Sequence, residues 1–306
     1  MSRVLRFAAV LLTVALIAPA AALVGCGGDE SSGGSDSAAA EHPGFKKEIA
    51  DTLPEAIKSK GTLIAATDAT FPPLEFMDAD GETITGVDPE LITAIGNVLG
   101  LKVKVVNAKF DSIIPGLQAG NYDVAISWFN DRKDREEVVD MVVYGKSGNT
   151  YYVNADVDPS TISKPEDLCD KRYAVMKGSS QAAAAAEQKK ACGGKLEVME
   201  FPDQNAINLA LAAGRADIAN AGTPVALYAM SKANGRLALV DGLAEDPHPV
   251  GIAVPKGGGL AQPILDALKA LMADGTYEEI FKKYGIDSKS AITDPVINGA
   301  PDEPAE

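Results

Sequence analysis

The chain has 306 residues, with 43 acidic and 28 basic side chains and a formal charge of −15 at neutral pH. Such acidity argues against a nucleic-acid partner and against a cationic helix lying on a membrane. The length leaves room for one large domain or for two lobes of ordinary size.

Arg3 and Arg6 precede an apolar run from Phe7 to Val24, and LVGC (23–26) then leads into GGDESSGGSDSAAA. A basic start, an apolar middle and a small residue before the cut predict a signal peptide over residues 1–25. A retained membrane span is disfavoured because nothing basic follows the run. Leu23-Val24-Gly25-Cys26 resembles the lipobox of bacterial lipoproteins. That likeness implies cleavage before Cys26, a lipid on its thiol, and an exported protein held to the outer face of the cell membrane by that lipid only. Losing Arg3 and Arg6 takes the formal charge from −15 to −17. Residues 27–44 are almost all Gly, Ser, Ala and acid; they cannot bury enough apolar surface to offset chain entropy, and 26–44 is predicted as a flexible tether. With Cys26 assigned, Cys169 and Cys192 remain as a pair, which in an exported chain reads as a disulfide. Closing that loop stabilises by roughly 3 kcal/mol in the chain-entropy picture. The pair fits no zinc spacing and the chain has only two His, so no metal is expected.

The fold is expected to begin near Phe45. TLIAAT (62–67) predicts a strand, and LEFMDADGETITG (74–86) a hairpin turning at Asp-Ala-Asp-Gly. Asp88-Pro89-Glu90 predicts a helix start with Asp88 as N-cap; Ile92, Ile95, Val98 and Leu99 form its apolar stripe and Gly100 stops it. LKVKVVN (101–107) is a strand, DSIIPGLQAG (111–120) a short helix, and YDVAIS (122–127) the next strand. After this, AISWFNDRKDR places the single Trp at a strand end with Arg135 seven residues on. A second block repeats the alternation: strand RYAVM (172–176), helix QAAAAAEQKK, strand KLEVMEF, helix DQNAINLALAAG (203–214) and strand RADIANAG. Helix TPVALYAMSKA (223–233) follows, with Thr223 as N-cap, and then strand RLALV. GIAVPKG (251–257) breaks the rhythm before two last helices, LAQPILDALKALMADG and TYEEIFKKYG. Strands separated by helices predict mostly parallel sheets covered on both faces.

The order of these motifs resembles the family 3 extracellular solute-binding proteins, the polar-amino-acid receptors of ABC importers. The likeness rests on GTLIAATDATFPPLEF (61–76), GVDPELITAIGNVLGLKVKVV (86–106), FDSIIPGLQAGNYDVAIS (110–127), GRADIANAGTPVAL (214–227), VGIAVPKG (250–257) and DALKALMADGTYEEIFKKYG (266–285). The segment LCDKRYAV…KKACGG, with its Cys pair, is similar to the lipoprotein members of high-GC Gram-positive bacteria. The resemblance implies an α/β fold of two lobes, the type II periplasmic-binding-protein fold, with mixed sheets, helices on both faces and two crossover strands. Lobe 1 would hold residues 45–147 and 250–306, the last fifteen or so as a tail, and lobe 2 residues 148–249. Ligand would bind between the lobes at the carboxyl ends of strands.

Carried over residue by residue, the resemblance makes Arg135 the clamp for a ligand's α-carboxylate, which a guanidinium fork fits bidentately. Its bland alternative is a solvated helix charge among Arg132, Lys133 and Asp134. Ser127, Trp128 and Asn130 match the ligand-contacting strand end, where Trp128 is either a pocket wall or packing at the lobe edge. Phe71 and Phe110 match two rings that sandwich the ligand side chain, or are core. Asp68 would meet a polar end of the ligand, or shape the turn before Thr70-Phe71-Pro72-Pro73. Ser179 and Ser180 would meet the carboxylate's second oxygen, or cap a helix. One position departs from the pattern: relatives carry an Asp that pairs with the ligand's α-ammonium where this chain has Gly222. Either another acid, Asp68 or Asp203, or water takes that charge, or the ligand has no free α-ammonium.

The function so implied is that of a membrane-tethered receptor delivering an amino acid or related small carboxylate to the permease subunits of an importer. It would act as a monomer, without a cofactor. A sensor serving a membrane partner and a dehydratase-like enzyme on the same fold are the alternatives; the chain offers no nucleophile elbow, phosphate loop or well-placed His.

Overall fold

The computed structural model describes residues 42–243 and 246–301. The expected signal peptide, Cys26 and the tether up to residue 41 lie outside the described residues. In chain order the elements are α1 (Lys47–Ala50), α2 (Glu55–Lys60), β1 (Thr62–Thr67), β2 (Thr70–Phe71), β3 (Glu75–Met77), β4 (Ile84–Thr85), α3 (Val87–Val98) and β5 (Lys102–Asn107). Then come α4 (Phe110–Gln118), β6 (Val124–Asn130), α5 (Lys133–Glu136), β7 (Val139–Ser147) and β8 (Asn149–Asn154). The second block is β9 (Arg172–Met176), α6 (Ser180–Ala191), β10 (Glu197–Phe201), α7 (Gln204–Ala212), β11 (Ile218–Gly222), α8 (Thr223–Lys232) and β12 (Leu237–Val240). Strand β13 (His248–Pro255) and helices α9 (Ala261–Ala273) and α10 (Thr276–Lys283) complete the set.

The strands form two five-stranded sheets, ordered β5-β1-β6-β13-β7 and β10-β9-β11-β8-β12, plus a small sheet β2-β3-β4. In the first, β5, β1 and β6 run parallel while β13 runs antiparallel between β6 and β7. In the second, β10, β9 and β11 run parallel while β8 pairs antiparallel with β11 and with β12. The sheets are therefore mixed, because the chain enters lobe 2 straight from β7 into β8 and returns as β13, leaving no helix to reverse direction. Parallel strands place their carboxyl ends on one edge, and the two such edges face each other across the lobe boundary.

Apolar runs explain why these strands are interior: Leu63, Ala65, Val124, Ile126 and Ile252 in the first sheet and Tyr173, Val175 and Ile218 in the second are buried. The α3 stripe Leu91, Ile92 and Ile95 packs beneath the first sheet without exposure. Burying such side chains stabilises by roughly 1.5–3 kcal/mol each. Cys169 and Cys192 are joined in a disulfide whose loop spans 23 residues, tying the segment before β9 to the end of α6.

Several details differ from the sequence reading. The strand expected over 122–127 runs Val124–Asn130, so Trp128 lies within β6. Gly86, not Asp88, occupies the N-cap of α3. Its φ of 130° brings the backbone so close to Leu74 that a Cβ would lie 2.1 Å from the Leu74 carbonyl oxygen, and only glycine fits. Asp88 sits inside the first turn, fully buried and hydrogen-bonded elsewhere. Thr223 is likewise the first residue of α8, with Gly222 as its cap, and its hydroxyl donates to the Gly148 carbonyl. The expected tail is not loose through Ala300. Val143 N–H donates to the Val296 carbonyl and Asn298 N–H to the Met141 carbonyl, so this segment lies along the exposed edge of β7.

Candidate functional site

A cavity of about 450 Å³, solvent at its mouth included, lies where the two strand edges meet. Lobe 1 lines it with Phe71, Phe110, Ser127, Trp128, Asn130 and Arg135; lobe 2 with Met176, Ser179, Ser180, Gln181, Gln204, Asn220, Ala221 and Gly222. The structure thus brings together nine of the residues that sequence singled out. Met176, Gln181, Gln204, Asn220 and Ala221 went unnoticed. Their positions carried a usable signal: Met176 and Ala221 stand at or next to carboxyl ends of parallel strands, Asn220 two residues before the end of β11, and Gln181 and Gln204 in first helical turns.

Arg135 sits on α5 and is only 8% exposed. Its Nη1 donates to the Asn130 carbonyl at 2.7 Å, and its guanidinium carbon lies 5.8 Å from the Phe110 ring centre and 5.3 Å from that of Phe129. Among the described residues no ion pair engages it, so most of its donor fork is left to the cavity. Burial pulls its pKa down to about 10, which still leaves it charged at neutral pH. Phe71 and Phe110 stack with centres 6.1 Å apart and form the floor beside it.

The acids expected near the ligand are turned away. Asp68 does not line the cavity: its carboxylate accepts from the Phe110 N–H at 3.1 Å and the Thr70 hydroxyl at 2.8 Å. It is engaged in seating the first turn of α4, and so the Phe110 ring. Burial, opposed by those hydrogen bonds, pushes its pKa up to about 6. Asp203 caps α7 through the Ala206 N–H at 2.8 Å and does not line the cavity either.

Behind the end of β6 lies a second layer of acid. The Ser127 hydroxyl accepts from the Asp68 N–H and donates to Glu75 Oε1 at 2.7 Å. Asp88 accepts from the Trp128 N–H at 3.0 Å and from the Tyr144 hydroxyl at 2.7 Å. Glu75 and Asp88 meet there, both fully buried, and Glu75 Oε2 faces no protein donor. A proton held between the two carboxyls would satisfy it. Desolvation, then the Asp88 charge, drives the Glu75 carboxyl well above its usual range; desolvation raises Asp88 to about 7.

Lobe 2 contributes the starts of helices. Ser179 caps α6: its hydroxyl accepts from the Ala182 N–H and donates to the Met176 carbonyl, so it is already occupied. Ser180 accepts from Asn130 Nδ2 across the lobe boundary at 3.0 Å. Further bridges run from the Gln204 N–H to Thr70 Oγ1 at 3.3 Å and from Lys177 to Asp111 at 2.8 Å. The lobes are therefore closed on the cavity. The positive ends of α6 and α8 open on it, through Ser180, Gln181 and Gly222.

Trp128 is both wall and packing. It is 6% exposed, with a left-handed φ of 47°. Its ring meets Tyr144 edge-on at 5.6 Å and lies 6.5 Å from Phe281.

Two lobes that close over a buried cavity are the architecture of a receptor that engulfs a small solute. The chain belongs to the bacterial extracellular solute-binding proteins, family 3, whose profile matches residues 63–287. It is 30% identical to the arginine-binding protein ArgT of Corynebacterium glutamicum over 302 residues, covering 96% of each chain. Among solved structures it is similar to an ancestral arginine-binding protein bound to arginine, with 34% identity, a TM-score of 0.69, and coverage of 74% of this chain and 98% of that one. It is similar also to the ancestral amino-acid-binding protein AncCDT-1, a precursor of cyclohexadienyl dehydratase, at 32% identity, TM-score 0.68, and coverage of 75% and 98%. The type II periplasmic-binding-protein fold and a solute-binding role in ABC transport follow.

Proposed function

We propose that this protein is the lipid-anchored receptor of an importer and that it binds a small carboxylate, an amino acid or a relative of one, with Arg135 as its anchor. The observation that carries the reading is the buried Arg135 guanidinium, flanked by two rings, with no ion pair among the described residues. A buried cation without an anion costs several kcal/mol, and a ligand carboxylate in a closed, low-dielectric cleft offsets that. Ser127, Asn130 and Ser180 supply neutral polar groups around it, and Phe71 and Phe110 offer apolar faces to the rest of the ligand. Lobe closure then gives the permease a shape to distinguish from the open, empty state. The protein is taken to act as a monomer, with lobe 1 as 45–147 and 250–306 and lobe 2 as 148–249.

The wall holds no His, Lys, Cys or carboxylate among the described residues, which supports binding rather than turnover. The kinship with AncCDT-1 makes mass spectrometry of bound ligand after incubation worthwhile; conversion would favour an enzyme. The main test is native mass spectrometry of the purified protein, to identify any co-purified ligand, followed by calorimetry. Arg135→Ala should lower affinity at least 100-fold; unchanged affinity removes the anchor and the reading with it. Cys26→Ser should release the protein from the membrane fraction, and continued sedimentation with membranes would refute the lipid anchor.

A further inference from the structure

Resting on the reading of Arg135 as a carboxylate anchor, we propose that the ligand presents a hydrogen-bond acceptor, not an α-ammonium, to the indole of Trp128, so that the substrate class is a small 2-oxo or 2-hydroxy carboxylic acid. The Trp128 Nε1–H is buried and has no acceptor in the protein. The ring that carries it is fixed. Its backbone N–H is held by Asp88, its ring packs at right angles to Tyr144, and its far edge lies 3.3 Å from where a Cβ on Gly145 would stand. The Cδ1–Nε1 edge is turned to Gly222: a Cβ there would stand 3.2 Å from both atoms and 3.4 Å from Ser147 Oγ. Trp128 and Gly222 therefore belong together. An acid at position 222 would press on the indole, and the indole puts a donor where an acid would put an acceptor.

The charge on the wall itself has the same sign. Of the described residues lining the cavity, Arg135 alone is ionisable. The N-termini of α6 and α8 add partial positive charge. The carboxylates behind the cavity have protein partners: Asp68 on the Phe110 N–H, Asp203 on the Ala206 N–H, Glu75 on Ser127, and Asp88 on Trp128 and Tyr144; Asp131 and Asp134 act on Arg135 from outside the wall. An α-ammonium brought here would set three more donors and a charge against a donor, a guanidinium and two positive helix ends. An oxo or hydroxyl oxygen would accept from Nε1 and complete it.

The experiment uses the purified protein, stripped of co-purified ligand, and matched trios that share a side chain: alanine, pyruvate and lactate; glutamate, 2-oxoglutarate and 2-hydroxyglutarate; phenylalanine, phenylpyruvate and phenyllactate. Calorimetry gives affinities, and Trp128, the chain's single Trp, gives a fluorescence signal from the site itself. In the trio that binds best, the oxo or hydroxy acid should bind at least tenfold tighter than the amino acid. Trp128→Phe should shrink that preference to about twofold or less. Should Trp128→Phe fail to fold, replacing the single Trp with benzothienylalanine keeps the ring's shape, removes only the N–H, and should give the same loss. An amino acid that binds as tightly as its oxo and hydroxy partners, or tighter, overturns the proposal while leaving the carboxylate receptor intact. A preference that survives loss of the N–H overturns it as well. Absence of binding by every member of every trio overturns both.

Discussion

Glu75→Gln should make the protein's stability less dependent on pH. Glu75 and Asp88 are fully buried neighbours, and one proton held between them would satisfy an oxygen that otherwise faces no donor. Asp88 is raised to about 7, chiefly by desolvation, and Glu75 well above its ordinary value. A folded pKa above the unfolded one means the folded state holds the proton more tightly. The associated stability is fully present below the unfolded pKa, near 4, and is lost as pH climbs to about 7. A shift of about three units corresponds to about 4 kcal/mol. Glutamine retains the oxygen that accepts from Ser127 and offers an amide N–H to Asp88, which then ionises among three donors, with Tyr144 and the Trp128 N–H as the others. The stability of the variant relative to wild type should thus increase by about 2–4 kcal/mol between pH 5 and pH 8. Asp68 and Asp131, whose carboxyls are also raised, are unchanged between the two proteins, so the difference isolates the pair. Urea unfolding at pH 5, 6, 7 and 8, followed by Trp128 fluorescence and by circular dichroism, measures it. A difference that stays flat across that range would refute the shared proton.

Cys169→Ser with Cys192→Ser should destabilise lobe 2 by about 3 kcal/mol, from the loop entropy restored to the unfolded chain; a melting temperature unmoved by the double substitution would contradict this. Ending the chain after Pro295 should lower stability by about 2–4 kcal/mol. It removes the Val296 carbonyl that holds Val143 and the N–H donors of Asn298, Gly299 and Ala300 to Met141, Asp131 and Glu136, a loss that denaturant titration would register.

The strands and the order of lobes were legible because apolar runs of strand length, closed by Gly, repeat along the chain. Arg135, Phe71, Phe110 and Asn130 were legible through the family likeness, which fixes their distance from a recognisable strand end. What escaped was long-range hydrogen bonding. Asp88 before Pro89 has the local form of a helix cap, but the cap position went to Gly86 and the carboxylate was drawn to Trp128 and Tyr144, 40 and 56 residues away. Asp68 was read as a ligand contact because nothing local shows that the Phe110 N–H, 42 residues on, takes its oxygen. Gln204 and Asn220 passed unnoticed because a polar residue at a helix start or late in a strand is common whether or not a cavity lies beyond it.

The buried acid pair and the cavity bear on one another through the same few residues. Ser127 and Trp128 line the cavity on one side and bind Glu75 and Asp88 on the other. Two full negative charges behind the end of β6 would oppose a carboxylate arriving at Arg135 and would favour an ammonium in its place. Holding one proton between the acids would lessen that opposition while still supplying an acceptor to the Trp128 N–H. That hydrogen bond in turn holds Trp128 at a positive φ, a conformation disfavoured by about 1 kcal/mol or more for a bulky residue. The strained backbone turns the indole edge toward Gly222, and a relaxed one would carry the Nε1–H elsewhere. The acid pair, the strained Trp and Gly222 are thus linked through the Asp88–Trp128 hydrogen bond and the approach of the indole to Gly222, and a change to one member should alter what the others present to a ligand.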